Sequence, residues 1–212
     1  LDYSENNAFI YEQETRVLYA YLLMHLDNDG DNAWRMLRTS KFDPSENPLA
    51  AFTMANVAMR TGRNDEAIDI LLNRPKGKKF HPFPYLDFML GNAKMRRLDK
   101  DADEFFLKYL NEFKGIHFIK ESYQRLSWNA LINEDLGLFY QYNEKIKSKG
   151  NSVTGGDKNA LLDAKVPVIH HVALLKARLL FDGGYYQNGY DVLKSYSSDD
   201  FKDRRSKLEF TY

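Results

Sequence analysis

The chain has 212 residues, of which 43% are hydrophobic and 28% charged, so it holds enough apolar material for a core and wholesale disorder is excluded. Lys+Arg and Asp+Glu both number 30, and this balance argues against a general nucleic-acid-binding protein. The absence of cysteine excludes disulfides, thiolate metal sites and cysteine nucleophiles.

Apolar residues recur with helical spacing along the chain, and the prolines stand between such segments. This pattern predicts an all-α fold in which short connectors join antiparallel helix pairs. The whole chain, 1–212, is predicted to be one helical-repeat domain. Its five units are predicted at about 8–40, 48–73, 83–114, 117–148 and 168–196, with an insertion at 149–166 and the start of a further helix at 200–212.

Small residues recur at one position of the first helix in each pair. These anchors are Ala20, Ala55, Gly91, Ser127 and Ala177, spaced 35, 36, 36 and 50 residues apart. Seven residues after two of them stands a turn glycine, Gly62 or Gly184, and Leu98 takes the corresponding place in the third unit. The small side chains predict close helix contacts, and the glycines predict the turn within each pair.

A period near 34 residues with two helices per unit is typical of tetratricopeptide repeats, and the chain resembles that family over nearly its whole length. The segments FIKESYQRLSW (118–128) and LLKARLLFDGGYY (174–186) also resemble a group of tetratricopeptide proteins from Bacteroidota, whose members are often exported. The resemblance implies a right-handed superhelical solenoid with a concave, peptide-binding groove. A Sel1-like or HEAT-like array is the structural alternative.

The stretch HLDNDGDNAW (25–34) has the acidic composition of a calcium loop. Aligning Gly30 to the glycine of an EF-hand puts Met36 where a bidentate carboxylate is required, and a thioether supplies no oxygen. We therefore interpret this stretch as the turn of the first pair, with an Asp or Asn capping the next helix.

Other motifs carry little chemistry. GNSVTGGDK (150–158) lacks the Gly-Lys-Ser/Thr of a phosphate loop and reads as a flexible hinge, with Asp157 capping a short helix at 158–164. His170 and His171 would point about 100° apart on a helix and are not expected to share an ion. The last segment, FKDRRSKLEFTY (201–212), carries unpartnered apolar residues; it either caps the array or continues into a longer protein, and it offers a surface for self-association.

The residues directly after the anchors are expected to face the groove: Tyr21, Asn56, Asn92, Trp128 and Arg178. Units two and three repeat one triplet at i, i+4 and i+8, first as Phe52, Asn56 and Arg60 and then as Phe88, Asn92 and Arg96. This spacing places each triplet along one helix face. The candidate peptide-groove residues are Phe52, Asn56, Arg60, Tyr85, Phe88, Asn92, Arg96 and Trp128. Asparagine and arginine would hold a peptide backbone and a carboxylate. The alternative is that the phenylalanines pack between helices and the arginines pair with acids of the next unit.

The function expected from this pattern is a non-enzymatic scaffold that binds a protein or peptide and needs no cofactor or metal. The alternative is a bacterial envelope or glycan-binding helical-repeat module, which exposed aromatic clusters would favour and burial of both tryptophans would weaken. An all-α enzyme would need a pocket with perturbed acids. No transmembrane segment is predicted. Because the chain begins at Leu1, a processed N-terminus or an excised segment is expected, and the compartment, which includes export with the signal removed, stays open.

Overall fold

A computed structural model describes residues 12–39, 42–77, 79–165, 167 and 169–211. Over these residues the chain is helical with no strand, which confirms the predicted all-α class. The first predicted helix starts before residue 12, and that part lies outside the described residues. None of the described helices is both long enough and apolar enough to cross a membrane.

The helices follow one another with short connections, in the order expected from the sequence. They are α1 (Glu12–His25), α2 (Gly30–Thr39), α3 (Pro48–Arg60), α4 (Asn64–Leu72), α5 (Tyr85–Arg96), α6 (Ala102–Glu112), α7 (Ile119–Ile132), α8 (Leu136–Ser148), α9 (Gly155–Lys165), α10 (Val172–Asp182), α11 (Tyr186–Leu193) and α12 (Arg204–Thr211). A 3₁₀ turn at Ser198–Asp200 precedes α12.

The chain divides into two compact units, 1–86 and 87–212. From here on, the first and second unit mean these two parts and not the predicted repeats. In the first unit, α1 packs against α2, α3 packs against α4, and α3 also contacts α1 and α2. Pro48 occupies the first turn of α3, where its missing N–H is not needed, and the side chain of Asn47 caps that turn. The core of this unit contains the fully buried side chains of Leu37, Ile68 and Leu71.

The second unit is built in the same way from neighbouring helices. The pairs α7–α8 and α10–α11 pack internally, α6 packs on α7, and α10 contacts both α7 and α12. Phe88 of α5 joins α6 through ring contacts with Phe106 and Tyr109, at centroid distances of 5.9 and 5.5 Å. The helices that pack in these pairs bury apolar faces against each other, as helical periodicity predicts.

The small residues expected at the helix contacts are buried. Relative exposures are 0% for Ala20 and Ala55, 2% for Ser127 and 7% for Ala177, and Gly91 is buried as well. The second helix of the last pair shows why size matters, because a Cβ at Gly189 would lie 3.2 Å from the backbone oxygen of Ala177. Two helices approach this closely only where a side chain is missing.

The turns within the five pairs share a left-handed residue. Each contains a residue with positive φ: Asn28 (52°), Gly62 (72°), Leu98 (61°), Glu134 (62°) and Gly184 (83°). In the last four turns, the following residue donates its N–H to the carbonyl five residues earlier, at 2.9–3.0 Å. This is the Schellman ending of a helix, for which glycine is the preferred residue. The turn predicted at Leu98 is therefore confirmed, although the residue is not glycine.

The stretch HLDNDGDNAW forms the first of these turns. Asn28 takes the left-handed conformation, and Oδ1 of Asp29 accepts the backbone N–H of Asn32 at 3.0 Å. Asp29 therefore caps α2, as we expected for an Asp or Asn of this stretch. Ala33 starts the buried face of that helix, with no exposed surface.

The insertion between the fourth and fifth pairs is mostly helical. Its helix, α9, is longer than the predicted 158–164 and packs on α7 and α8. Asp157 has no exposed surface, and its carboxylate accepts backbone N–H groups from Phe118, Lys120 and Glu121 at 2.9–3.2 Å. Asp157 therefore caps the start of α7. It also helps to cap its own helix, because its carboxylate accepts the hydroxyl of Thr154 at 2.8 Å while Oγ1 of Thr154 accepts the N–H of Asp157 at 3.0 Å.

Lys120, at the start of α7, connects this region to the end of α8. Its Nζ donates to the backbone oxygens of Ile146 and Lys149, where α8 ends. A cation at the C-terminal carbonyls of a helix is favourable. Burial lowers the pKa of Lys120, and the charge of Asp157 partly opposes this shift. The segment expected to be a hinge is thus attached to two helices through buried polar groups.

Helix α12 keeps part of its apolar face exposed. Leu208 is 48% exposed, whereas the ring of Phe210 packs on Phe201 at a centroid distance of 5.0 Å. Tyr212, predicted to share this face, lies outside the described residues.

Candidate functional site

The triplet Phe52, Asn56 and Arg60 lies in the first compact unit and is held by contacts within it. Phe52 is partly buried against Phe83 and Tyr85, with ring centroids 5.6 and 6.0 Å away. Nε of Arg60 donates to Oδ1 of Asn56 at 3.0 Å. Arg60 is otherwise exposed, so its guanidinium stands at the surface beside the amide.

Tyr21 completes this group, since the Nδ2 of Asn56 lies 3.5 Å from its hydroxyl oxygen. Burial raises the pKa of Tyr21, while the positive charge of Arg60 and the hydrogen bond from Asn56 oppose the shift. Tyr21 and Asn56 both stand directly after a small anchor, and the structure brings them together.

The triplet Phe88, Asn92 and Arg96 lies in the second compact unit, and its phenylalanine is more deeply buried than Phe52. Phe88 is 4% exposed and packs among Phe106, Tyr109 and Phe118, so its ring belongs to the core. Asn92 is partly buried and donates from Nδ2 to the backbone oxygen of Phe88 at 3.0 Å. The same triplet therefore presents less apolar surface here than in the first unit.

Trp128 of α7 contacts two arginines and a histidine in the second unit. The guanidinium carbons of Arg125 and Arg178 lie 4.4 and 4.8 Å from the centre of its ring, within the range of cation–π contacts. The imidazole of His170 meets the ring edge-on at 5.7 Å. Trp128 is partly buried, so some of its ring remains accessible.

Arg125 links this tryptophan to α5. Its Nε donates to Oδ1 of Asn92 at 3.0 Å, and Nη2 donates to Oε1 of Glu121 at 2.7 Å. Burial lowers the pKa of Arg125, and the carboxylate of Glu121 opposes this effect. Arg125 thus has its charge matched inside the unit and serves as a fixed bridge between the helices.

Arg178 is the cation of this group that remains available. It is exposed, and its guanidinium makes no hydrogen bond or ion pair with the described residues. Its charge helps to lower the pKa of His170, after the larger effect of burial. A guanidinium stacked on an aromatic ring and open to solvent is suited to pair with a carboxylate.

We call the group Asn92, Arg125, Trp128 and Arg178 the tryptophan cluster. Three of its members directly follow the anchors Gly91, Ser127 and Ala177, so α5, α7 and α10 bring equivalent positions together. Arg96, one turn beyond Asn92, approaches the end of α10, because a Cβ at Gly183 would lie 3.1 Å from its Cβ. Phe52, Asn56, Arg60 and Tyr85 belong to the other unit and form a separate group.

The sequence-based choice of site residues missed Arg125, Glu121 and His170. Arg125 precedes Trp128 by three residues and follows Glu121 by four, and this spacing is a usable signal for neighbours on one helix face. His170 gave no such signal, because it stands before α10 and meets Trp128 only through tertiary packing.

Comparisons with known proteins give no relative for this chain: no family model, no curated protein and no solved structure matches it. Its function therefore has to be argued from the geometry of its own residues.

Proposed function

We infer that the chain is a non-enzymatic scaffold that binds a protein or peptide, built from tetratricopeptide-like helix pairs. Repeated left-handed turns and buried small residues support a true structural repeat. In tetratricopeptide arrays, the first helices of successive pairs line a concave groove. By that arrangement α5, α7 and α10 would present the tryptophan cluster to a bound chain.

The observation that carries the proposal is the joining of Asn92, Arg125, Trp128 and Arg178 in one chain of contacts. An aromatic ring fixed on one side and a free arginine beside it resemble the residues that dominate protein interfaces. Because Arg125 is already paired with Glu121, Arg178 is the cation left to bind a partner's acidic side chain. The expected partner is therefore a segment that carries at least one Asp or Glu next to an apolar residue.

A displayed random-peptide library tests this proposal directly. Peptides enriched on the wild-type protein should contain acidic residues, and their affinity should fall about tenfold with Arg178→Gln, the loss expected for one charge-assisted hydrogen bond. Arg38→Gln is the matched control, since Arg38 is exposed and lies 5.8 Å from the ring centre of Trp34, the other tryptophan. A library that yields no enriched peptide contradicts the scaffold function itself. Enriched peptides that bind Arg178→Gln normally contradict only the role of the tryptophan cluster.

The repeated triplets require their own variant. Arg60→Ala with Arg96→Ala removes one cation from each, and peptide affinity should fall if the triplets contact the partner. Unchanged affinity in a protein with an unchanged melting curve would show that the triplets serve packing alone.

A second candidate function is the envelope or glycan-binding module. Phe181, Tyr186 and Tyr190 favour it, because they are 64%, 59% and 65% exposed and Phe181 meets Tyr186 edge-on at 5.1 Å. Trp34, only 8% exposed, argues the other way. Affinity electrophoresis on a panel of polysaccharides tests this function: Tyr186→Ala with Tyr190→Ala should abolish retardation, whereas Tyr140→Ala, which removes another exposed tyrosine, should not. Absence of retardation with the wild-type protein would reject the glycan function.

A further inference from the structure

A cavity of about 800 Å³ opens in the second unit, apart from the exposed side of Arg178. It lies between the start of α10, the ends of α7 and α11, and the segment before α12. This volume falls within the range of small-molecule sites. Much of the wall is apolar, with Leu131, Ile169, Val172, Ala173, Val192 and Phe201.

Two histidines line this cavity with their hydrogen-bonding capacity unused. The side chain of His170 is only 3% exposed, and its Nδ1 lies 4.0 Å from Oε1 of Glu209, which is beyond hydrogen-bonding distance. The Nδ1 of His171 is buried and has no partner among the described residues. Buried polar groups nearly always have a partner, so the Nδ1 of His171 points to a ligand that supplies one.

Some charged groups on the wall have hydrogen-bond partners among the described residues and others have none there. Lys176 and Lys202 form no hydrogen bond or ion pair within the described part of the chain. By contrast, the carboxylates of Asp200 and Asp203 accept the backbone N–H groups of Ser197 and Ser206, at 2.7 and 2.9 Å. Glu134, on the α7–α8 turn, is the third acid of the wall. The three carboxylates outnumber the two lysines, so the attraction for an anion is local to Lys176 and Lys202 and does not come from the net charge of the wall.

The start of α10 adds to the attraction for an anion. Val172 and Ala173 are its first residues and line the cavity, and His171 supplies no side-chain cap. First-turn N–H groups have no helical acceptor and carry the positive end of the helix dipole. The unpaired lysines and the unused histidines are independent of this dipole, and all three favour a negatively charged group.

We propose that this cavity binds a small molecule with one anionic head group, a carboxylate or a phosphate, and an apolar body. Lys176, Lys202 and the start of α10 hold the head group, while His170 and His171 complete its hydrogen bonds. The apolar wall around Leu131 and Phe201 takes the body. This site is separate from peptide binding and does not depend on the proposed scaffold function.

Trp128 reports on this cavity because His170 packs against its ring. With Trp34→Phe as background, it is the only tryptophan left. Phenyl phosphate and 3-phenylpropionate should each change its fluorescence in a saturable manner, and phenethylamine, a cation of similar size, should not. Lys176→Gln with Lys202→Gln should weaken both anions at least tenfold, whereas Lys100→Gln with Lys158→Gln, which removes the same charge elsewhere, should leave them unchanged.

The outcomes separate the parts of the proposal. No saturable signal, equal binding of the amine, or equal binding by the Lys176 and Lys202 variant would overturn the anion site. Inorganic phosphate that displaces phenyl phosphate at equal concentration would overturn the role of the apolar wall. Matching circular dichroism melts show that each variant is folded.

Discussion

Glu134 tests whether packing of the helix pairs, rather than local sequence, sets the left-handed turns. It is exposed, has a φ of 62°, and its side chain makes no hydrogen bond or ion pair with the other described residues. The left-handed conformation costs a non-glycine residue about 1–2 kcal/mol, whereas glycine loses about 0.5–1 kcal/mol of additional backbone freedom on folding. Glu134→Gly should therefore raise the free energy of unfolding by about 0.5–1 kcal/mol, the difference between these two effects.

The matched control is Glu134→Ala, which removes the same side chain but keeps the Cβ that causes the strain. Gly184→Ala is the reverse experiment, because φ at Gly184 is 83° in the equivalent turn. A protein of this size shifts its melting temperature by about 2–4 °C per kcal/mol, so Glu134→Gly should melt about 1–4 °C higher than the parent. Trp34→Phe as background makes Trp128 the reporter of the second unit.

Two results would refute this reasoning. One is a Glu134→Gly protein no more stable than Glu134→Ala, which would mean that the Cβ causes no strain in the turn. The other is a Gly184→Ala protein as stable as the parent, although an added Cβ at positive φ should destabilise it.

Three further outcomes follow from the second unit. Asp157→Ala should lower the free energy of unfolding by about 2–3 kcal/mol, since it leaves buried amides at the start of α7 unpaired, and urea denaturation measures this loss. Burial lowers the pKa of His170, so the unfolded chain binds its proton more readily; stability should fall as pH drops below about 6.5, and His170→Gln should flatten the decline in unfolding free energy between pH 7.5 and 5.5. Gly189→Ala should destabilise by about 1–2 kcal/mol through contact with the next helix, whereas Gly155→Ala, where a Cβ meets open space, should be neutral or stabilising in the same thermal melt.

The helices were predictable because one physical requirement fixes them along the whole chain. Each helix must bury an apolar face against its neighbour, and this requirement leaves a 3.6-residue period in the sequence. The small anchors, such as Ala55 and Gly91, add the places where two helices approach closely. Gly62 and Gly184 marked two of the turns because glycine adopts a positive φ without strain. Nothing in the residue type of Glu134 reveals its positive φ, which follows from the pair around it.

The candidate site was only partly predictable, because equal sequence does not imply equal surroundings. Phe52 and Phe88 occupy the same place in two similar triplets, yet Phe88 is buried by Phe106 and Tyr109 while Phe52 is only partly covered. Asn92, Trp128 and Arg178, each directly after an anchor, come together through Arg125 and the ring of Trp128. The arginines around it depend on distances between helices that no single helix encodes.

The insertion falls where the spacing between pairs is longest, and the fifth pair still contacts the fourth. Between the turns at Glu134 and Gly184 there are 50 residues, whereas the two preceding spacings are 36. The surplus forms α9, and Asp157 fixes this helix to the start of α7 instead of leaving a loose connection. Because the added chain is packed beside α7 and α8, α10 can still reach α7. The contact of Arg178 with Trp128 depends on this arrangement, so the part of the chain that departs from the repeat also helps to assemble its candidate site.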